Sequence, residues 1–517
     1  MYSFSQALQR AALVNGNGIA TRYEGRDLTW NETLDRVRRM AAALASLGIR
    51  EGDRVALIGG NSDSFFQALY AVIWAGGIAV PINTRLAAPE VAYCLNDSGS
   101  RILLVDEEYW HRVPAIRDTL DTVEKIVPIG GSEETGPALE ELARGCQPAD
   151  DRGRGGSDIA ALYYTGGTTG RAKGVILTHE GILVNVLQWA LALGVTNRDV
   201  ILIVAPMFHL VGGLNAIAAT MLAATACLVR RFDVPAILTE ITESRVTKTA
   251  LVPVMVDAII NHPQTLQADL SSLRRISYGG APMTEAGLKR ALRALPDVRF
   301  SQIYGQTEGG PNISILEHQY HVLEGPNAGR LRSAGKPMPG TMVAILDEED
   351  RPVPRGQIGE ICVRGLTISP GYWNQPEETA RAKRNGWLHT GDAGYFDEEG
   401  FLYIVDRLKD MIITGGENVY SAEVENVISL HEAVEQCVVI GIPNERWGEQ
   451  IHAIVRLRQG HACTEEELVA HCREHLAGSK CVRSVEFRAE PFPLSGANKV
   501  LKRELREPYW RGRDRGV

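Results

Sequence analysis

Apolar positions recur with two different periods along this chain, and the switches between them mark out its elements. Over residues 29–48, Leu34, Val37, Ala41 and Leu44 share one helical face, Thr29 and Glu32 have capping-box spacing, and Gly48 supplies a stop, so a helix is predicted. The run Arg54–Ile58 (RVALI) reads as a buried strand, 61–75 as a helix ended by Gly76 and Gly77, and 79–82 and 102–105 as short apolar strands. This alternation returns around 200–280 and predicts α/β architecture with mostly parallel sheet. Residues 340–365 break the rhythm: short strands separated by Asp, Pro and Gly turns predict an antiparallel subdomain. Residues 130–157, rich in Gly, Glu, Asp and Arg and poor in apolar side chains, are expected to form a surface connection. After Asp406 the pattern restarts. A strand-like MIIT, a helix over 421–430, strands at 437–441 and 451–456 and a helix at 464–476 predict a second compact α/β unit, with the boundary near 406–410. The expected fold is a large N-terminal domain of mixed sheets with helices, residues 1–408, followed by a small α/β domain, residues 409–517.

One stretch has to be separated from a membrane span. Between Val200 and Val229 there is no Asp, Glu, Lys or Arg, which is long enough to cross a bilayer. Pro206, His209, Gly212 and Gly213 interrupt it, so a buried strand (200–204), a loop (205–213) and an alanine-rich core helix (214–226) are expected instead. The N-terminus MYSFSQALQR lacks the basic start and apolar run of a secretory signal.

Composition narrows the class of function. The 517 residues are 44% hydrophobic and 23% charged, as in an ordinary globular protein of more than one domain. The net charge of −9 leaves no basic surplus for nucleic acid. The eight cysteines are scattered, with no C-x-x-C pair and no zinc-finger spacing, which fits a reducing, cytoplasmic compartment.

Five short segments carry candidate chemistry. In Tyr163–Gly174 (YYTGGTTGRAKG), glycines allow close backbone approach to an anion, hydroxyls and N–H groups can bind phosphate oxygens, and Lys173 can neutralise charge. It is not a Walker A loop, since Arg171 and Ala172 follow Gly170, and a Gly/Thr surface loop would have the same composition. In YGQTE (304–308), a tyrosine can stack on a base, and a threonine beside a carboxylate can hold a phosphate oxygen and Mg²⁺; an ordinary strand-to-loop turn would also fit. In LHTGD (388–392), Asp392 can accept two ribose hydroxyls or simply close a turn. DRLKDMIITGGENVYSAEVE (406–425) reads as a hinge or as a plain linker. PLSGANKVLKREL (493–505) places Lys499 after a flexible stretch, either as a mobile cation or as part of a solvated basic face.

No single segment decides between these readings; their order does. The Gly/Thr loop, GGAP (279–282), YGQTE, TGD, DRLKD and a terminal lysine loop together resemble the adenylate-forming superfamily of acyl-CoA synthetases, adenylation domains and beetle luciferase, over essentially the whole chain. The resemblance implies an ATP-dependent acid–CoA ligase with ATP, Mg²⁺ and coenzyme A. It implies that Thr165, Gly166, Gly167, Thr168, Thr169, Gly170 and Lys173 close over the phosphates. Gly280, Ala281 and Pro282 would line the adenine, with Gly305 and Gln306 beside it. Tyr304 would stack on the base, Thr307 would contact phosphate, Glu308 would bind Mg²⁺, and Asp392 and Arg407 would hold the ribose. Lys499 would be the catalytic lysine on a mobile C-terminal domain hinged at Lys409, and Gly415 and Gly416 would line the pantetheine tunnel. His209 would gate the acyl pocket. Asn498 departs from the usual glycine before that lysine, and Asn tolerates the left-handed backbone better than most residues.

The acid is bounded mainly by exclusion. Met207–Gly213 (MFHLVGG) carries no carboxylate, and a buried ammonium without a partner is costly, so an α-amino acid is disfavoured. Trp189, His209, Val211, Gly212, Gly213, Val252, Gly279 and Gln306 suit an apolar acyl group, with Gly212 and Gly213 expected to give up volume to a medium or long chain or an aryl ring. A carrier-protein phosphopantetheine is the alternative acceptor, and a non-catalytic nucleotide-binding regulator is the alternative of another class. The expected partners are small molecules, with no nucleic acid, no membrane span, and a homodimer as the candidate assembly.

Overall fold

The computed structural model describes residues 3–130, 136–166, 171–494 and 500–511. The described residues form four sheets: one of nine strands, one of six, and two of five. The first long helix runs Trp30–Ser46 and carries the complete capping box, the Thr29 hydroxyl accepting from Glu32 N–H and the Glu32 carboxylate accepting from Thr29 N–H. Trp30, Val37, Met40, Ala41 and Leu44 on one face are buried in the main core. The strand Arg54–Ile58 falls where the apolar run placed it, flanked in parallel by Ile78–Ile82 and Ser100–Val105 in the six-stranded sheet. The next helix begins at Asp63, capped by the Ser62 hydroxyl, rather than at 61.

In the 200–229 stretch the strand is Val200–Ile203, but the helix is Leu210–Leu222, four residues ahead of the expected 214–226. Two local effects move it. Gly212 and Gly213 sit inside the first helical turn, where a Cβ on Gly212 would lie 2.2 Å from the Ala205 carbonyl oxygen and one on Gly213 2.7 Å from the Tyr163 hydroxyl. At the other end Ala223 takes a left-handed conformation, with φ +55°, and stops the helix as a glycine usually does. Ala226, expected at the end of that helix, instead enters the strand Thr225–Leu228, which pairs in parallel with Val200–Ile203. Among the described residues no helix is long and apolar enough to cross a membrane.

Residues 130–157 are more than a surface connection. The helix Leu139–Arg144 lies within them and buries Leu139 and Ala143, while Arg38 and Trp74 donate to the Ala149 carbonyl. The i, i+3, i+4 spacing of Leu139, Leu142 and Ala143 had been masked by the surrounding charge. Residues 340–365 form the antiparallel pair Met342–Leu346 and Gly359–Arg364, extended by Trp387–Phe396 and Leu402–Arg407.

After the short turn Leu408–Asp410 comes the fourth sheet, with its own core of Ile412, Val424, Ile428, Val439, Ile451 and Leu468. The helix Glu465–His475 again starts on a full capping box, from Thr464 and Glu467. Its longest strand runs Val434–Asn444, well past the expected 437–441. It continues through Pro443 because the strand lies at a sheet edge, where a proline's missing N–H costs no ladder bond.

Two buried histidines give the fold a pH signature. His321 is fixed between the Tyr278 hydroxyl (3.1 Å) and the Glu317 carbonyl (3.1 Å), and His179 receives the Phe4 N–H at 3.4 Å. Burial lowers each to about 4 from 6.5. The unfolded chain therefore takes up protons between pH 6.5 and 4 that the folded chain excludes, so this stability is complete above pH 6.5 and falls as pH drops toward 4. We expect a loss on the order of 2 kcal/mol per ring by pH 5. Thermal melts between pH 8 and 5 check this: Tm should fall with pH, with a shallower slope in His321→Gln, and equal slopes would contradict it.

Candidate active site

In the nine-stranded sheet the strands Val200–Ile203, Lys248–Leu251, Arg275–Gly279 and Arg299–Tyr304 lie side by side in parallel. Their C-terminal ends open on one edge, and in open α/β sheets that edge is where ligands gather. Four expected groups follow from it: the loop carrying His209, Val252, the segment Gly280–Ala281–Pro282, and the run Gly305–Gln306–Thr307–Glu308. Glycine is required at this edge. A Cβ on Gly279 would meet the Ile303 carbonyl oxygen at 2.2 Å, and Gly280 has φ +77°.

Two other sheets meet the end of the 299–304 strand. From the first, the Tyr304 hydroxyl donates to Asp392 Oδ2 at 2.8 Å, and Arg407 Nε lies 3.4 Å from Asp392 Oδ1. Asp392 and Arg407 are directly opposed in the antiparallel pair of Trp387–Phe396 with Leu402–Arg407. Tyr304 is 8% exposed, and burial together with the Asp392 carboxylate pushes its phenol well above the ordinary value, so it remains a donor. The turn before Asp392 is held by Glu360, which accepts from Gly391 N–H at 2.9 Å and from His389 Nδ1 at 2.8 Å.

From the six-stranded sheet, Thr165 closes the strand Ile159–Thr165 and donates to Glu308 Oε1 at 3.3 Å; the Tyr372 hydroxyl donates to the same oxygen at 3.1 Å. Thr307–Gly309 forms one 3₁₀ turn, which the Ser369 N–H fixes through the Glu308 carbonyl at 2.9 Å. Lys173 is paired across the hairpin with Thr165 and is 8% exposed. Its ammonium is ion-paired with Glu378 and lies 5.1 Å from the Tyr372 ring centroid. Gly166 is exposed. Gly167, Thr168, Thr169 and Gly170 lie outside the described residues, as do Asn498 and Lys499.

On the acyl side, His209 stands at the N-terminus of the Leu210–Leu222 helix with its ring 4.9 Å from that of Phe208, and Val211 is half-buried. Trp189 and Val252 are core side chains, 2% and 4% exposed. The volume expected from Gly212 and Gly213 needs correcting: the positions their side chains would take are occupied by the Ala205 and Pro206 carbonyls and the Tyr163 hydroxyl. Those glycines let the helix start close beneath its own loop.

In the fourth sheet, Gly415 and Gly416 make a two-residue hairpin turn with φ +61° and +84°, Thr414 pairing with Glu417, and Gly415 N–H donates to the Trp447 carbonyl. Lys409 is exposed in the turn just beyond Arg407.

Sequence reasoning missed Asn61, Tyr372, Glu360 and Glu378. Asn61 is 2% exposed; its Nδ2 donates to the carbonyls of Ile203 (3.3 Å), Ala205 (3.1 Å) and Val229 (3.2 Å), and its Oδ1 accepts from Met207 N–H (2.9 Å). It thereby shapes the loop that carries His209. The polar Asn at the end of a strand followed by two glycines (GGNSD) was the available signal. Asn61→Ala strands these groups and should cost about 2–4 kcal/mol in urea unfolding. A loss below about 0.5 kcal/mol, the scale of a surface substitution, would contradict this role.

The chain matches the family model of AMP-binding enzymes over residues 8–373 and that of the AMP-binding enzyme C-terminal domain over 423–499. It is 38% identical over 501 residues to a feruloyl-CoA synthase of Amycolatopsis sp, covering 97% of this chain and 98% of the relative. It is 38% identical over 473 residues to a long-chain-fatty-acid–CoA ligase, FadD13, of Mycobacterium tuberculosis, covering 91% of each. The crystal structure of the anthranilate CoA ligase AuaEII in complex with anthranoyl-AMP superposes with a TM-score of 0.91 at 28% identity, covering 98% of this chain and 97% of that one.

Proposed function

The chain belongs to the family of AMP-binding enzymes, and we propose that it activates a fatty or aryl carboxylic acid with ATP and Mg²⁺ and transfers the acyl group to coenzyme A. It is an AMP-forming acid–thiol ligase. The observation that carries the reading is the meeting of three sheets at residues 304–308, where Tyr304, Asp392 and Arg407 stand next to Glu308, Thr165 and Lys173.

A carboxylate is a poor acyl donor because its oxygen leaves badly. Attack of that oxygen on the α-phosphate of ATP gives an acyl-adenylate and pyrophosphate, and a thiol then displaces AMP. In-line attack of one anion on another needs positive charge held in place beforehand. Glu308 offers hard oxygen atoms: the Thr165 and Tyr372 hydroxyls both donate to its Oε1, and a carboxylate has further lone pairs to give a cation. That donor set suits Mg²⁺, which when bound supplies charge neutralisation at the phosphates. In this reading Thr165 and Thr307 orient phosphate oxygens, Gly280–Ala281–Pro282 with Gly305 and Gln306 border the adenine, and Tyr304 fixes Asp392. Asp392 and Arg407 then receive the ribose.

We assign residues 1–408 to acyl and AMP binding and 409–517 to a mobile part. Support comes from the separate core of the fourth sheet and from the short Leu408–Asp410 turn that precedes it. Rotation about Lys409 would exchange Lys499, which serves adenylation, for the Gly415–Gly416 turn, which admits pantetheine. The loop Met207–Gly213 holds no carboxylate, which supports an apolar acid over an α-amino acid. Eight free cysteines support a reducing, cytoplasmic setting, and a homodimer is the assembly to test by mass.

Two experiments test this reading. A pyrophosphate-release screen over fatty, cinnamic, benzoic and short-chain acids should give its highest kcat/KM with an apolar acid and free coenzyme A; turnover only with a carrier protein would overturn the acceptor. Lys499→Ala should abolish adenylation by at least about a hundredfold while sparing thioester formation from a supplied acyl-adenylate. Equal loss of both half-reactions would overturn the two-position scheme.

A further inference from the structure

Glu378 lies outside every motif used to assemble the nucleotide site, yet its carboxylate meets Lys173, the lysine of the Gly/Thr segment, on the six-stranded sheet. It projects from the short helix Pro376–Ala382, and its two oxygens have different partners. Oε2 holds the Lys173 ammonium, and Oε1 lies 2.8 Å from Arg381 Nη1, one turn along the same helix. Lys173 draws the Glu378 carboxyl below its ordinary value. The helix is fixed to the strap beneath it, the Thr379 hydroxyl accepting from Tyr372 N–H at 2.9 Å. Tyr372 in turn carries Lys173 over its ring and donates its hydroxyl to Glu308 at 3.1 Å. Glu378, Lys173, Tyr372, Glu308 and Thr165 therefore form a continuous chain of contacts around the place proposed for the phosphates.

We propose that Glu378 is a positioning residue, a built-in counter-anion that holds Lys173 beside Glu308 while phosphate is absent and yields it when nucleotide binds. The proposal rests on the reading of Lys173 as a phosphate ligand and adds what that lysine does otherwise. A lysine this buried would be an uncompensated charge without a partner. A triphosphate brings several negative charges next to Glu308 and Glu378, and the weaker anion gives way. Arg381 makes the exchange inexpensive, because Glu378 keeps a cation after Lys173 has left. The same exchange runs backward when pyrophosphate departs: Glu378 recaptures the lysine and helps the product leave. Glu378 therefore lowers affinity for ATP and pyrophosphate together, and thioester formation does not involve it.

The test is a double-mutant cycle of Glu378→Gln and Lys173→Met, reading KM for ATP, the inhibition constant of pyrophosphate, and thioester formation from acyl-adenylate and coenzyme A. Thermal melts confirm folding, and Glu378→Ala repeats the charge removal without an amide. Glu378→Gln should lower both the KM for ATP and the pyrophosphate inhibition constant by roughly three- to tenfold, the scale of one partly exposed ion pair. The thioester step should stay unchanged, and the effect should vanish in the Lys173→Met background. If Lys173→Met raises KM for ATP but Glu378→Gln leaves it unchanged or raises it, the counter-anion is overturned and the lysine keeps its role. If Lys173→Met leaves KM for ATP unchanged, the phosphate reading of Lys173 fails, and the counter-anion proposal fails with it.

Discussion

The hydrogen bond from Tyr304 to Asp392 joins two sheets at the point where a third arrives through Thr165 and Glu308. Everything proposed for the protein depends on that junction. The phenol is buried and stays protonated, so its proton is available to Asp392, and Arg407 lies beside the same carboxylate. A buried donor and acceptor locked together in this way fix the relative placement of strand ends that are 88 residues apart in sequence. Glu308 follows four residues later on a single 3₁₀ turn and has little freedom to lie elsewhere.

The charges around the junction alternate. Asp392, Glu308 and Glu378 are interleaved with Arg407, Lys173 and Arg381, and hydroxyls of Tyr304, Tyr372 and Thr165 stand between them. Such an arrangement suits a polyanion that arrives with a divalent cation. The cationic side chains already have carboxylate partners that phosphate can replace, and the carboxylates have spare lone pairs for a metal or a sugar. The apolar side of the site is shaped differently. There, Asn61 spends four hydrogen bonds on main-chain groups so that the Met207–His209 loop can turn over the start of a helix.

Much of the architecture was legible because local signals agreed with one another. The capping boxes at Thr29 and Thr464 and the apolar run at 54–58 each mark an element whose position the structure retains closely. Legibility failed where tertiary contacts override local preference. Gly212 and Gly213 read as breakers but are helix positions made necessary by the Ala205 carbonyl, and Ala223 ends a helix in a conformation usually left to glycine. The strand expected at 437–441 runs on through Pro443 because it lies at an edge. The site shows the same division. Its motifs could be ordered along the chain and related to a superfamily, but no spacing tells that Tyr304 finds Asp392, that Lys173 finds Glu378, or that Tyr372 supports Glu308. Those pairings are set by strand register and sheet order.

The central claim is that nucleotide and acyl group are joined at the meeting of three sheets around residues 304–308. A crystal structure with a non-hydrolysable sulfamoyl analogue of the acyl-adenylate tests it most directly. The account predicts adenine along Gly280–Pro282 and Tyr304, ribose hydroxyls within hydrogen-bond distance of Asp392, and the phosphate mimic beside Thr165 and Glu308. An analogue bound elsewhere, with Tyr304, Asp392 and Arg407 out of contact with it, would contradict it.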